Sequence, residues 1–560
     1  MPRDTAEADA GAAARTASPG RRRRGCALMG EALVQVHDLI TAAALRDPQA
    51  VALRQRDRQM DYGELAAQCA RFAGAAAALG LAPGDRVATF LPKQFETVIA
   101  LFGSSAAGVS FVPVNPVLKP AQVAHIVNDC QVRVLVTSAQ RWQSLAGTLS
   151  TQASLHTVIL TDDDRGDPPP ANAGVLSWSA FMDGGSAAAH RRIDRDMAAI
   201  LYTSGSTGKP KGVVLSHGNL LAGAESVSSY LENVPGDRLL AVLPLSFDAG
   251  LSQLTTAFRV GASATLMDYL LPRDVLRAVE RHAITGLAAV PPLWNQLVNL
   301  EWPQAAAATL RYITNTGGAM PVATTHRLRT LLPATRIYLM YGLTEAFRST
   351  YLPPSEVDRI PESIGRAIPN ADILVVDADG RECAPGEPGE LVHRGNLVAL
   401  GYWNNPEKTA QRFRPCPGQD PALPITELAV WSGDRVVKDA DGYLYFVARQ
   451  DEMIKTSGYR VSPAEVEEIA YGSGLVAGAA ALGVPHPVLG QGILLVVTAA
   501  DSWDEALAER LRAAYRTELP GFMQPLRIVH REALPHNQNG KIDRRALHAE
   551  YETIFSEDAP

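Results

Sequence analysis

At 560 residues the chain exceeds one ordinary hydrophobic core, so at least two domains are expected. Hydrophobic residues make up 46% and charged residues 20%, a globular balance that excludes a fibrous or wholly disordered chain. A net charge of −7, with no basic stripe beyond Arg21–Arg24, argues against a nucleic-acid partner.

Residues 1–28 are rich in Ala, Arg and Gly and read as a disordered N-terminal extension, with Met29 an alternative start. Glu31, His37 and Asp38 interrupt any apolar run after the arginines, so a secretory signal is not expected. Residues 29–449 read as a large N-terminal domain. Asp61 and Glu64 have capping-box spacing, and Leu65, Cys69, Phe72, Ala76 and Leu79 then mark one apolar helix face closed by Gly80. Thr97–Leu118 is uncharged, but its serines and prolines predict a buried helix followed by a buried strand rather than a membrane span. Alternating strand and helix patterns persist to about residue 350 and predict α/β architecture with mostly parallel sheets.

Within that core, Met197–Tyr202 reads as a short buried strand, and VVLSHGNL leads toward a helix. Between them lies the Tyr202–Gly212 segment, YTSGSTGKPKG. Its glycines allow close backbone approach, and its hydroxyls, N–H groups and lysines are the donors that polyphosphate oxygens need. A Walker P-loop is excluded by register: only two residues separate Gly205 from Gly208, and Pro210 follows Lys209. A nucleophile elbow is excluded because Ser204 stands where its first glycine should be.

Beyond Pro361, strand patterns separated by Asp-Gly turns predict a β-rich subdomain, and proline-rich 413–424 an exposed loop. A domain boundary falls near Gln450–Asp451. Residues 450–560 read as a small α+β C-terminal domain, in which Ser502 and Glu505 cap a helix with Leu507, Leu511 and Ala514 on its apolar side. The five cysteines (Cys26, Cys69, Cys130, Cys383 and Cys416) are scattered, as expected for free thiols in a reducing, cytoplasmic setting.

The phosphate-binding pattern is followed in order by TGGAMP at 316–321, YGLTEA at 341–346, WSGD at 431–434, ARQDEMIKTSGYRVSPAEVEE from residue 448, and NGKIDR at 539–544. With these motifs the chain resembles the AMP-forming adenylating enzymes, a superfamily of acyl-CoA synthetases, peptide-synthetase adenylation domains and luciferase-like enzymes. The resemblance covers nearly all of residues 33–550. It implies a large domain, a small mobile one and a hinge at Asp451. It further implies an ATP-dependent ligase that converts a carboxylic acid to an acyl-AMP and passes it to CoA. The alternative is an amino-acid or acyl adenylating enzyme that loads the phosphopantetheine of a separate carrier protein. A kinase or NTPase is a distant third, disfavoured by the absent Walker register.

Residue roles follow from the same resemblance. Thr203, Ser204, Gly205, Ser206, Thr207, Gly208 and Lys209 would wrap the ATP phosphates. Gly317, Gly318, Ala319, Tyr341 and Gly342 would line the adenine, and Asp434 and Arg449 would hold the ribose. Thr344 would contact the α-phosphate, and Glu345 would hold Mg²⁺. Lys541 would reach the acyl carboxylate during adenylation, and rotation about Asp451 would exchange it for the Lys455–Tyr459 segment, including Gly458, to guide the thiol.

Two positions depart from the pattern. Ala448 stands where a glycine often precedes the ribose-site arginine, and Phe247-Asp248 replaces the aromatic-His pair of many acyl-CoA synthetases. The same Phe-Asp pair in amino-acid-activating relatives makes a substrate amine one expectation for Asp248; a helix cap is the other.

Overall fold

Short aliphatic strands alternating with amphipathic helices form the body of the computed structural model. It describes residues 33–556 apart from 150–151, 163–172, 186, 204–209, 319, 321, 450–453, 462, 501 and 536–541. Among these residues the strands assemble into three sheets. In the first, Val51–Gln55, Ser263–Leu266, Arg238–Ala241, Gly286–Ala289, Tyr312–Asn315 and Arg336–Tyr341 run parallel. Pairing then turns antiparallel through Thr350–Leu352 and Ser363–Ala367 and continues to Leu444–Arg449, Leu428–Lys438, Pro388–Gly395 and Ala371–Val376. The β-rich stretch beyond Pro361 is therefore joined edge-on to the parallel strands.

The second sheet is parallel from Met197–Thr203 through Ser110–Pro113, Arg86–Phe90, Val134–Thr137 and Thr157–Leu160 to Gly174–Ser177. On its other side a further strand stands between the glycine-rich segment and the expected helix. Lys211–Ser216 pairs antiparallel with Met197–Thr203, with Thr203 opposite Lys211, before the helix His217–Tyr230 begins. The glycine-rich segment thus joins two antiparallel strands and does not open directly into a helix N-terminus.

The third sheet belongs to the C-terminal part. It contains Tyr459–Val461, Ile454–Thr456, Gly490–Ala499, Val476–His486 and Arg527–His530, packed with helices Pro463–Gly472 and Glu505–Glu518. The cap of the second helix is Asp504, whose carboxylate accepts from Leu507 N at 2.7 Å, two residues later than expected. A terminal carboxylate there aligns better with the first free N–H groups than Ser502 could.

Other local expectations map closely. Asp61 caps Tyr62–Ala78 by accepting from Glu64 N, and Leu65, Cys69, Phe72 and Ala76 are buried. Leu79 is the C-cap, past the last helical residue, and is 40% exposed. Thr97–Leu118 contributes the buried helix Phe95–Ala107 and the strand Ser110–Pro113. Within 413–424, Phe413–Pro415 pairs as a short strand with Leu428–Val430, and the rest is a largely exposed loop. Among the described residues no helix is long and apolar enough to cross a membrane. Cys69, Cys130, Cys383 and Cys416 are free thiols.

Two buried histidines should make the fold less stable in acid. His217 opens its helix and accepts from Val36 N through Nδ1, while His393 lies 2.9 Å from Ser349 Oγ. Burial, aided for His217 by nearby His37, pushes His217 down to about 4, and burial alone pushes His393 down to about 3. Unfolded histidines take up a proton near pH 6.5, whereas these do not until the lower values, so the unfolded state binds more protons in between. Their stabilising contribution is complete above pH 6.5 and is lost as pH falls toward 4. Thermal unfolding followed between pH 7.5 and 4.5 should show that loss, and His393→Gln should flatten the slope.

Candidate active site

The site is built where the parallel strand Arg336–Tyr341 ends. After Gly342 and Leu343 the chain makes one 3-10 turn, Thr344–Ala346, and reverses at Phe347. Phe347 has φ 56° and ψ −49°, a strained conformation for a bulky residue. Its buried ring is held against the helix His217–Tyr230, where a Cβ on Gly223 would lie 2.5 Å from it. This reversal leaves Thr344, Glu345 and Arg348 lining one cavity of about 320 Å³.

Glu345 is 6% exposed. Tyr402 Oη donates to its Oε1 at 2.6 Å. Burial pushes the Glu345 carboxyl upward, but Arg412, the Tyr402 hydroxyl and Arg460 outweigh it and hold it below the usual glutamate range. The group is therefore an anion at neutral pH. The Lys211 ammonium lies 5.6 Å from the Tyr402 ring centroid, so a further cation stands on the same wall. Among described residues, Lys211, Arg348, Lys408, Arg412 and Arg460 line the cavity against Asp248, Glu345 and Glu465. The positive excess suits a polyanion such as a nucleoside triphosphate.

Phe247 and Asp248 enter from another direction. Asp248 is the first residue of the helix Asp248–Val260, and its Oδ1 accepts from Ala249 N at 2.6 Å. Its Oδ2 lies 3.8 Å from Arg348, close enough for attraction but too far for a hydrogen bond. Burial raises the Asp248 carboxyl, and Arg348 opposes that rise.

The C-terminal part closes the cavity. Gly458, Tyr459 and Arg460 line it. The Tyr459 ring stacks on Phe522 with centroids 3.7 Å apart and meets Phe247 edge-on at 5.2 Å. Gln122 donates to Glu465 at 3.0 Å across the two parts of the chain. Gly458 has φ 80°, and a Cβ there would lie 2.7 Å from Val290. Only a residue without a side chain fits this close approach.

The remaining sites are distributed as follows. Gly317, Gly342, Thr344 and Thr203 line the same cavity. Asn315 donates to Gly318 O at 2.9 Å, which fixes the loop behind it. Tyr341 Oη donates to the buried Asp434 carboxylate at 2.6 Å, so the expected adenine and ribose residues touch one another. Asp434 and Arg449 face each other in register on neighbouring strands. Lys455 lies over the Phe446 ring, 4.7 Å from its centroid, and is not among the cavity-lining residues. Ser204–Lys209, Ala319, Asp451, Lys541 and the side chain of Arg449 lie outside the described residues, as does the N-terminal extension. Trp294 is fully buried and donates to Thr314 O, a core residue rather than a pocket wall.

A family model described as "AMP-binding enzyme" matches residues 40–403. The chain belongs to the AMP-binding enzyme family. A model of the AMP-binding enzyme C-terminal domain matches residues 465–541. Within this family the chain is an AMP-forming ligase. It is 32% identical over 507 residues to an L-proline–[L-prolyl-carrier protein] ligase of Streptomyces coelicolor, covering 87% of this chain and 91% of that one. It is 30% identical over 504 residues to a long-chain-fatty-acid–CoA ligase of Salmonella typhimurium, covering 84% and 86%. A linear gramicidin synthase of Brevibacillus parabrevis is 28% identical over 528 residues, and there the chain spans only 10% of the relative's length. The fold is that of the amide bond synthetase McbA from Marinactinospora thermotolerans, with TM-score 0.80, 24% identity, and coverage of 92% of this chain and 99% of that one.

Sequence reasoning missed several residues of this cavity. Tyr402, Arg412 and Arg460 set the charge state of Glu345, and Arg348 faces Asp248. Lys211 sits inside the segment read as phosphate-binding, and Arg348 lies three residues after Glu345, so local signals existed. Tyr402 and Arg412 are brought in from a distant edge strand and helix, which no local pattern announces.

Proposed function

We propose that this protein activates a carboxylic acid with ATP and transfers the acyl group to the thiol of CoA. In the first half-reaction a carboxylate oxygen bonds to the α-phosphorus, and the bond from that phosphorus to pyrophosphate breaks. In the second, a thiolate attacks the acyl carbonyl and AMP leaves. The observation that carries this reading is the cavity in which Thr344 and the anionic Glu345 stand among lysines and arginines, closed by Gly458 and Tyr459.

The residues suit Mg²⁺. A buried carboxylate held ionised beside a threonine hydroxyl supplies hard oxygen donors. The ion would be held by this one carboxylate and by substrate phosphates. When bound, Mg²⁺ would offset the phosphate charge. The chain's own part is positioning: Tyr402 orients Glu345, the Tyr341–Asp434 pair offers a carboxylate to the ribose, and the arginines attract the phosphates.

The large part to residue 449 would bind nucleotide and acid, and the part from residue 450 would move about Asp451, presenting Lys541 for adenylation and Gly458 for thiol transfer. Scattered free thiols support a cytoplasmic setting. A second acceptor, the phosphopantetheine of a separate carrier protein, draws support from Phe247-Asp248 and from the carrier-protein ligase among the relatives. Incubation of the enzyme, MgATP and an accepted acid with either CoA or a phosphopantetheinylated carrier distinguishes them. Acyl-CoA by mass spectrometry is the expected product. Acyl-carrier formed while CoA remains unacylated would replace CoA by the carrier.

A further inference from the structure

Behind the main cavity lies a smaller one of about 40 Å³, lined among others by Ser252, Thr256, Thr314 and Met340. Ala249 and Arg348 line both cavities and so form the wall between them. An acid whose carboxylate is held near Thr344 would direct its remaining atoms past this wall. The rear space holds about three water-sized groups, too little for an extended alkyl chain.

Arg348 is only 5% exposed, yet its donors are poorly used. Among the described residues its Nε is buried without a hydrogen-bond partner, and its one side-chain hydrogen bond runs to Phe347 O at a long 3.4 Å. The Asp248 carboxylate, at 3.8 Å, offsets charge without accepting a hydrogen bond. Ser246, also buried and lining the main cavity, has an Oγ with no partner among the described residues. A guanidinium carries five donors in a fixed fork, and buried donors left unsatisfied favour a ligand that accepts from them. The same guanidinium repels an ammonium approaching Asp248.

We propose that Arg348 selects the acid: the substrate is a short carboxylic acid carrying a second oxygen acceptor, a carboxylate or a hydroxyl, that docks on Arg348 beside Ser246. This rests on the adenylation reading and adds its substrate class. It disfavours an α-amino acid, whose ammonium would meet Arg348, and a long-chain fatty acid, whose chain the rear cavity does not hold.

The test is ATP–pyrophosphate exchange with succinate, 3-hydroxybutyrate, butyrate, palmitate and alanine as probes. At least one oxygenated four-carbon acid should exceed butyrate in kcat/KM by tenfold or more. Arg348→Met should bring that ratio close to one, Arg348→Lys should restore part of it, and Ser246→Ala should lower it independently if Arg348→Met fails to fold. The inference is overturned if butyrate, palmitate or alanine is preferred, or if the ratio survives in Arg348→Met. It is also overturned if none of the probes supports exchange while calorimetry shows that MgATP binds. Absence of MgATP binding would instead remove the adenylation reading beneath it.

Discussion

Glu345→Gln should lower the rate of acyl-AMP formation by about 10²–10³-fold, the order of loss seen when one preorganised electrostatic group is removed from an active site. The substitution keeps size and keeps an acceptor for the Tyr402 hydroxyl. What it removes is the negative charge that Arg412 and Arg460 hold ionised despite burial. Two cations then face the phosphates without the carboxylate that would anchor Mg²⁺, so the metal requirement should rise along with the fall in rate. Circular dichroism and thermal unfolding should remain close to the parent, because the surrounding hydrogen bond survives. Pyrophosphate exchange measured against Mg²⁺ concentration reads both effects. An unchanged exchange rate would make Glu345 a structural anion only.

Gly458→Val separates the two half-reactions. Gly458 sits at φ 80° with three Val290 side-chain carbons 2.7–2.8 Å from where a Cβ would stand. Any side chain is strained there, and valine cannot occupy the space unless the hairpin Ile454–Val461 withdraws from the cavity. A displacement of about 1 Å in a reacting assembly costs roughly a hundredfold in rate. Thioester formation should therefore fall by about that factor, while pyrophosphate exchange persists because the other orientation of the small part serves it. Single-turnover assays starting from purified acyl-AMP and thiol isolate the second step. Equal losses in both steps would mean that the segment supports the fold rather than the transfer.

Local pattern carried much of this architecture. The helix Tyr62–Ala78 was readable because its cap and apolar face are sequence-local, and the Phe95–Ala107 helix because its uncharged run is broken by Pro113 and Pro116. The antiparallel pair in the second sheet was not readable in the same way. Lys211–Ser216 is short and lies directly before a helix, so its pairing with Met197–Thr203 depends on the loop folding back. Ser502 and Asp504 are both good caps, and burial of Leu507 with placement of Leu511 in the C-terminal core accompanies the later one. In the site, ordered motifs brought Thr344, Glu345, Gly317 and Gly458 to one cavity, whereas Arg348, Tyr402, Arg412 and Arg460 were invisible as partners. A charge network closed by residues 57 apart, as in Tyr402–Glu345, has no sequence period to betray it.

The most direct test is product identity. Purified protein, MgATP, an accepted acid and CoA, incubated together and resolved by anion-exchange chromatography, should give AMP and pyrophosphate only when the acid is present. Release of ADP and phosphate in place of AMP would contradict the adenylation account.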